Sequence, residues 1–342
     1  MRFLEERLEK RKQAGLLREL VQRAGGIDFA SNDYFGFAKK ISEGGEGGAT
    51  GSRLLSGNSA LYEQLEERLA RFHVAECCLI YTSGYLANQG LLSAIGTKSA
   101  TFLYDLEIHA SMIDGMLLSE AKRVPFRHND LSSLEERLSK SAPPHFVLVE
   151  SLYSISGDLA PLQEISYLSE KYGAGLIVDE AHATGVFGKG LAVHLPTFAR
   201  MHTFGQALGA SGACILGSRL LKETLINFSR PFIYTTALPP SALWQISANY
   251  DALEAEGERH RQKLQWLIDH FCKKTGRASS LSPIQPILTA GSMGLSEKLW
   301  EEGIDVRAIR PPTVGKKKEC LRVVLHSYNE TCEIDRLLEY LS

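Results

Sequence analysis

Two short segments hold the residue types best able to do chemistry. In the first, Leu176-Ile177-Val178 runs straight into Asp179, with His182 three positions on. An open α/β sheet presents acid and imidazole in this way at the carboxyl end of a strand, where such folds bind ligands. A buried carboxylate there needs a cationic partner, because an isolated buried charge is very costly. A protonated pyridinium nitrogen would be such a partner; alternatively, Asp179 only caps the helix that follows. The second segment is Thr203-Phe204-Gly205-Gln206-Ala207-Leu208-Gly209, a small-residue loop with a glycine just before position 206. The amide of Gln206 is neither nucleophilic nor usefully basic.

Other polar residues recur after apolar runs. Asn32-Asp33-Tyr34-Phe35-Gly36 follows a short strand at Ile27 to Ala30. Gly51-Ser52-Arg53 and Ser56-Gly57 lie in a flexible loop. Asp105 and His109 follow one strand, and Glu150-Ser151-Leu152-Tyr153-Ser154 another, with Gly157-Asp158 closing its turn. Thr82-Ser83-Gly84-Tyr85 joins a strand to a helix, an order that aims backbone N–H groups at whatever sits above the turn, a natural phosphate seat. Arg310-Pro311-Pro312-Thr313 and Arg322 sit near the C-terminus. Taken singly, each is a weak signal, since a lone strand-end histidine is more often structural than functional and Gly-Ser turns are common.

The elements that must position them alternate. Strands are expected at Cys78 to Tyr81, Thr101 to Tyr104, Val124 to Phe126, Phe146 to Glu150 and Leu176 to Asp179. Helices are expected from about Ser59, after Tyr85, and at Ser111 to Ser119, Leu131 to Leu138 and Pro161 to Tyr172. Such alternation indicates a mostly parallel, doubly wound sheet. Residues 1–24 read as an amphipathic helix on Leu4, Leu8, Leu16, Leu17 and Leu20, ended by Gly25-Gly26. The glycine-rich stretch from Glu43 to Gly51 reads as a loop. The pattern changes near Arg230-Pro231. Pro239-Pro240 opens a long helix toward Lys274, and short strands (Ile287 to Thr289, Cys320 to Leu325) among helices then make a smaller α+β domain.

Composition narrows the function classes. The chain of 342 residues is long enough for one large domain and a smaller one. A net charge of −2 supplies no basic field of the kind nucleic-acid binders use. No apolar run approaches the roughly 18 residues needed to span a bilayer, and the charged start, Met1 to Arg7, lacks a signal-peptide apolar stretch. Six cysteines without C-x-x-C spacing suit reduced thiols in a cytoplasmic protein and speak against a zinc site, so no metal is expected.

In this order, the motifs resemble the α-oxoamine synthases, a branch of the fold-type I pyridoxal 5′-phosphate enzymes. The resemblance runs from Asn32 to about Leu341. His128-Asn129-Asp130, Phe232 to Pro240 and Ile309 to Val314 resemble the biotin-pathway members, the 8-amino-7-oxononanoate synthases. The resemblance implies an α/β fold-type I architecture. Residues 1–30 would be a helical segment packing on the small domain, 31–235 the cofactor-binding large domain with its mostly parallel sheet, and 236–342 the smaller α+β domain. It implies pyridoxal phosphate as cofactor, a homodimer, and decarboxylative condensation of L-alanine with a pimeloyl thioester of CoA or acyl carrier protein.

Residue by residue, Asp179 would pair with the ring nitrogen. His182 and Ser154 would hydrogen-bond the ring 3′-oxygen, and His109 would stack on the ring. Ser83, Gly84 and Tyr85 would hold the phosphate, with Thr203 adding a hydroxyl and Thr236 reaching in across a dimer interface. Asn32 and Arg322 would bind the substrate carboxylate, with Arg310 as the alternative arginine. Arg18 would help place the acyl chain, and Thr313 belongs to the same substrate set.

The chain departs from the family at its centre. The family loop reads T-F-G-K; its lysine carries the cofactor as a Schiff base and then removes the substrate α-proton. Here that position is Gln206, and neither Lys189 nor Lys222, both expected to be solvated, lies in the motif. The chain is also shorter than family members usually are, with the shortening expected in the N-terminal region, at Glu43–Gly48 and between Leu191 and Arg200. Three readings follow: a synthase impaired by loss of its lysine, a lysine-less non-catalytic partner or scaffold, or a neighbouring synthase such as 2-amino-3-ketobutyrate CoA ligase.

Overall fold

The computed structural model describes residues 2–18, 25–40, 47–315 and 318–341. The chain divides into two compact units. The larger is Asn32–Pro283 with Leu325–Tyr328, and the smaller is Met1–Ser31, Ile284–Val324 and Asn329–Ser342. The expected boundary at 235 is not where these units part, because the long helix after Pro239 belongs to the larger one.

In chain order the strands are β1 (Ile27–Asp28), β2 (Cys77–Tyr81), β3 (Thr101–Asp105), β4 (Lys122–Phe126), β5 (His145–Glu150), β6 (Gly175–Asp179), β7 (Ala199–Thr203), β8 (Ala213–Gly217), β9 (Ile284–Leu288), β10 (Ile304–Asp305), β11 (Arg307–Ile309) and β12 (Cys320–Val324). The helices are α1 (Arg2–Gln13), α2 (Ala60–Phe72), α3 (Gly84–Ile95), α4 (Ala110–Leu117), α5 (Leu131–Ser139), α6 (Leu162–Tyr172), α7 (Arg219–Phe228), α8 (Arg230–Tyr234), α9 (Pro240–Thr275), α10 (Ser292–Glu301) and α11 (Thr331–Glu339).

The larger unit is built on a seven-stranded sheet in the order β2-β8-β7-β6-β5-β3-β4. Only β8 runs antiparallel to its neighbours, so the sheet is mostly parallel, as expected. Strands covered on both faces must be apolar on both, and Leu103, Val147, Leu148, Leu176, Ile177 and Val178 are all buried. Alternation along the strands sorts them into two cores. Leu148 and Ile177 join Leu91 of α3, Met112 of α4 and Leu221 of α7. Val147 and Val178 join Leu134 of α5 and Ile165 of α6. Asp179 therefore shares the α3/α4 face with Ile177, and Glu180 turns to the other side.

β7 and β8 were not expected as strands. Arg200 and His202 interrupt the apolar pattern of β7, yet both are buried. They are received by a polar chamber: the Arg200 guanidinium donates to the His73 carbonyl at 2.7 Å, and His202 Nδ1 bonds the Thr184 hydroxyl at 2.9 Å. Burial drives the His73 imidazole down to about 3 and that of His202 well below its ordinary range, so both rings are neutral.

In the smaller unit β9, β12 and β11 form an antiparallel sheet, and β1 pairs parallel with β10. The first helix ends at Gln13 instead of near residue 24, with Gly15 in the left-handed conformation two residues beyond. Leu16 and Leu17 fall outside it, and residues 19–24, Leu20 among them, lie outside the described residues. So do residues 41–46 of the glycine-rich stretch. Among the described residues, no helix is long and apolar enough to cross a membrane.

Candidate active site

Because β2, β3, β4, β5, β6 and β7 run the same way, their carboxyl ends lie along one edge of the sheet, where such folds bind ligands. Asp179 ends β6, directly beside Glu150 at the end of β5. Its carboxylate accepts from the Asn88 amide at 2.7 Å and from the Ala181 backbone N–H at 2.9 Å. Burial raises the Asp179 carboxyl, against the pull of these two donors and of nearby His109. Glu150 accepts from Ser154 N at 3.0 Å, and the His109 backbone N–H also favours its charged form. Burial and the charge of Asp179 push its carboxyl well above the usual range. Burial thus raises both carboxyls, and Glu150, which also feels the charge of Asp179, the more; we assign the proton of the pair to Glu150 and the charge to Asp179.

Among the described residues no lysine or arginine forms an ion pair with Asp179. The buried carboxylate is held by the Asn88 and Ala181 hydrogen bonds and by nearby His109, and an added cation there would meet a charge that burial makes costly.

Ser83 caps the N-terminus of α3, its Oγ accepting from Leu86 N at 3.2 Å. The amides of Gly84 and Tyr85 in that first turn have no intrahelical acceptor. A Cβ on Gly84 would lie 3.6 Å from Thr203 Cβ, so the turn abuts the end of β7. Thr203 Oγ1 donates to Gly212 O and accepts from Gly205 N. His109 caps α4, and its ring meets that of Tyr85 edge-on at 6.2 Å. His182, buried just after β6, has its Nδ1 2.6 Å from the Tyr34 hydroxyl. Ser154 is fixed through its backbone to Glu150. Thr236 is exposed and bridges to Ser52.

Gln206 sits in the turn after β7, half-buried, its carbonyl accepting from Gly209 N at 2.9 Å. Gly209 has φ +57°, and a Cβ there would collide with the Ala38 backbone N, so the loop is seated where only glycine fits. Lys189 is exposed, as expected. Lys222 is not a solvated surface residue: its ammonium lies 2.7 Å from the buried carboxylate of Glu66, which also pairs with Arg53.

In the smaller unit the Arg18 guanidinium donates to Thr313 Oγ1 at 3.5 Å. Arg310 is half-buried at the turn into Thr313. Arg322 is buried on β12, opposite Arg307 and Pro286 in register. Asn32, partly buried, accepts Tyr34 N on its carbonyl in the larger unit. Sequence reasoning missed Asn88 altogether and gave Tyr34 no role; Asn88 stands inside an ordinary helical stretch, with no signal that marks it.

This edge combines a buried, hydrogen-bonded carboxylate, imidazoles beside it and a first helical turn whose N–H groups have no intrahelical acceptor. Residues 24–341 match the family described as aminotransferase class I and II. The chain belongs to that family. Its members are pyridoxal phosphate enzymes, and the donor set here fits that cofactor apart from covalent attachment at Gln206.

The chain is similar to the 8-amino-7-oxononanoate synthase of Marinobacter nauticus, 36% identical over 382 residues, covering 100% of this chain and 96% of that one. Since the alignment is longer than 342 residues, the relative carries residues this chain lacks. Among solved structures it is similar to a lysine-to-alanine variant of serine palmitoyltransferase from S. paucimobilis with a bound PLP–myriocin aldimine. That likeness has 25% identity and a TM-score of 0.86, covering 98% of this chain and 95% of the other. An 8-amino-7-oxononanoate synthase from Francisella tularensis has 28% identity and a TM-score of 0.78, covering 92% and 96%. The chain thus has the class I/II pyridoxal phosphate fold.

Proposed function

We propose that this chain has the site of an 8-amino-7-oxononanoate synthase, condensing L-alanine with a pimeloyl thioester of CoA or acyl carrier protein, and that Gln206 leaves it inactive or strongly impaired. The observation that carries the reading is the buried, hydrogen-bonded carboxylate of Asp179 beside His109. A chain long released from chemistry has no reason to keep Asp179, His109, His182 and Ser154 together.

When bound, pyridoxal phosphate supplies an electron sink for charge developing at the amino acid α-carbon. Asp179 would hold the ring nitrogen protonated, an opposite charge favouring the charged form. His182 and Ser154 would bond the 3′-oxygen, and His109 would lie on the ring face. Ser83, Gly84, Tyr85 and Thr203 would hold the phosphate. Thr236, exposed on the single chain, is suited to a neighbouring subunit's phosphate and so to a two-fold homodimer. For the substrates we assign the carboxylate to Asn32 and Arg322, with Arg310 as the alternative arginine, and the acyl chain to Arg18 and Thr313. An arginine suits bidentate carboxylate recognition.

Gln206 can neither tether the cofactor nor take a proton from the substrate. Loss of a catalytic base alone costs about 10²- to 10⁴-fold in rate. The Gln206→Lys protein tests this. It should retain cofactor covalently after borohydride and denaturation, and condense alanine with pimeloyl thioester; the unaltered chain should release all its cofactor. Condensation of glycine instead would point to the ligase class. No cofactor uptake by either protein would favour the second reading, a non-catalytic partner, which Gln206 itself supports.

A further inference from the structure

Asn88 lies four residues into α3 and is 1% exposed. Asparagine is a poor helix-interior residue, because its amide competes for backbone groups. Here both hydrogens of its Nδ2 have other acceptors. One goes to Asp179 Oδ2 at 2.7 Å and the other to Ser111 Oγ at 3.0 Å. The Ser111 hydroxyl, receiving that hydrogen, has its own proton for His109 Nδ1 at 2.8 Å. The same ring nitrogen accepts from Ser111 N at 3.2 Å. Nδ1 is therefore an acceptor, and the His109 proton belongs on Nε2. The amide cannot be turned over, since its oxygen would then face the Asp179 carboxylate. Asn88 Oδ1 is left buried without a partner, a cost accepted for the two bonds on the other side.

The connection depends on α3 and α4 lying close. Gly115 of α4 stands against Asn88, where a Cβ would come within 2.9 Å of the Asn88 carbonyl oxygen. Ser111 lies one turn earlier on the same face of α4.

We propose that Asn88 is a positioning residue that holds Asp179 ionised for the ring nitrogen of pyridoxal phosphate and, through Ser111, sets the Nε2–H form of His109. One amide thereby orders the two side chains assigned to the ring's edge and face. The inference rests on the reading that this site takes that cofactor.

The test is equilibrium binding of pyridoxal phosphate, and of its 1-deaza analogue with carbon in place of the ring nitrogen, to the unaltered chain and to Asn88→Leu and Asn88→Asp. Asn88→Leu removes a hydrogen bond to a charged group and should weaken pyridoxal phosphate about ten- to hundredfold. It should weaken the deaza analogue by less than about threefold, because no ring N–H then answers Asp179. Equal losses for both ligands would mean a merely structural role and overturn the proposal. Asn88→Asp is nearly isosteric, so it keeps the packing if the leucine variant does not fold. It sets a second carboxylate against Asp179 and should weaken pyridoxal phosphate at least as much; unchanged affinity would overturn the proposal. Nitrogen-15 NMR of labelled histidine should show His109 as the Nε2–H form, and an Nδ1–H signal would overturn the second half. If the unaltered chain takes up no pyridoxal phosphate, the proposed function fails and this inference with it. If it does and Asn88→Leu binds equally well, this inference fails alone.

Discussion

The Tyr34 hydroxyl lies 2.6 Å from Nδ1 of His182, and both side chains are buried. With Tyr34 donating, the imidazole keeps its proton on Nε2, the nitrogen our proposal turns to the cofactor's 3′-oxygen. Tyr34→Phe keeps the ring and removes this bond. One hydrogen bond is worth about 0.5–1.5 kcal/mol net, so the variant should melt earlier and bind pyridoxal phosphate several-fold more weakly. Thermal melts and a cofactor titration check both. Unchanged values would show that the His182 ring is held by other contacts.

The two strand-end acids invite paired isosteric substitutions. Glu150 holds the proton in our assignment, so Glu150→Gln should leave stability within about 1 kcal/mol, the scale of one neutral hydrogen bond, and leave cofactor affinity equal or tighter. Asp179→Asn removes the charge that answers the ring nitrogen and should weaken affinity by about tenfold or more. If Glu150→Gln weakened cofactor as much as Asp179→Asn, the proton would belong on the other acid.

His128 gives the larger unit a pH dependence. Its Nδ1 bonds Asp105 at 2.9 Å, and its Nε2 lies 3.3 Å from Asp158, so one imidazolium ties the ends of β3 and β4 to the turn after β5. Burial opposes that charge, but these bonds and the Asp105 charge prevail and hold the imidazole at about 9, above its ordinary 6.5. A raised value means that the stabilisation is fully present below pH 6.5 and is lost as the pH rises through about 9. Denaturant midpoints should fall across that window, and His128→Asn should flatten the fall. An equal slope in the variant would assign the titration elsewhere.

The sequence showed the acids, the imidazoles and the turn at Ser83 because each follows an apolar run at a strand end. It hid β7, because Arg200 and His202 break the apolar pattern and find their partners only in the folded chamber around His73 and Thr184. β8 was hidden by its small residues, which continue the composition of the preceding loop. The first helix was read too long because Leu16 and Leu17 prolong the leucine spacing of Leu4 and Leu8, yet both fall beyond its end at Gln13. Asn88 could not be read at all. Its role comes from the meeting of two helices and a strand, which no single segment encodes.

That meeting also predicts an effect from a residue that touches no proposed ligand. A Cβ at Gly115 would lie 2.9 Å from the Asn88 carbonyl oxygen and 2.9 Å from the Gln89 Cα. Both are backbone atoms of α3 and cannot swing aside as a flexible side chain could. Alanine gains about 1 kcal/mol of helix propensity over glycine, whereas overpacking costs about 1–3 kcal/mol. Gly115→Ala should therefore be destabilising on balance and should push α4 off α3, carrying Ser111 away from Asn88. Cofactor affinity should fall with it. Gly294, exposed in α10, is the control: a Cβ there meets nothing within 4 Å, and Gly294→Ala should stabilise by up to about 1 kcal/mol. Melting and cofactor titration of the two variants separate these outcomes. A Gly115→Ala protein that melts lower yet binds pyridoxal phosphate unchanged would show that the Asn88–Ser111 bond is dispensable to the site.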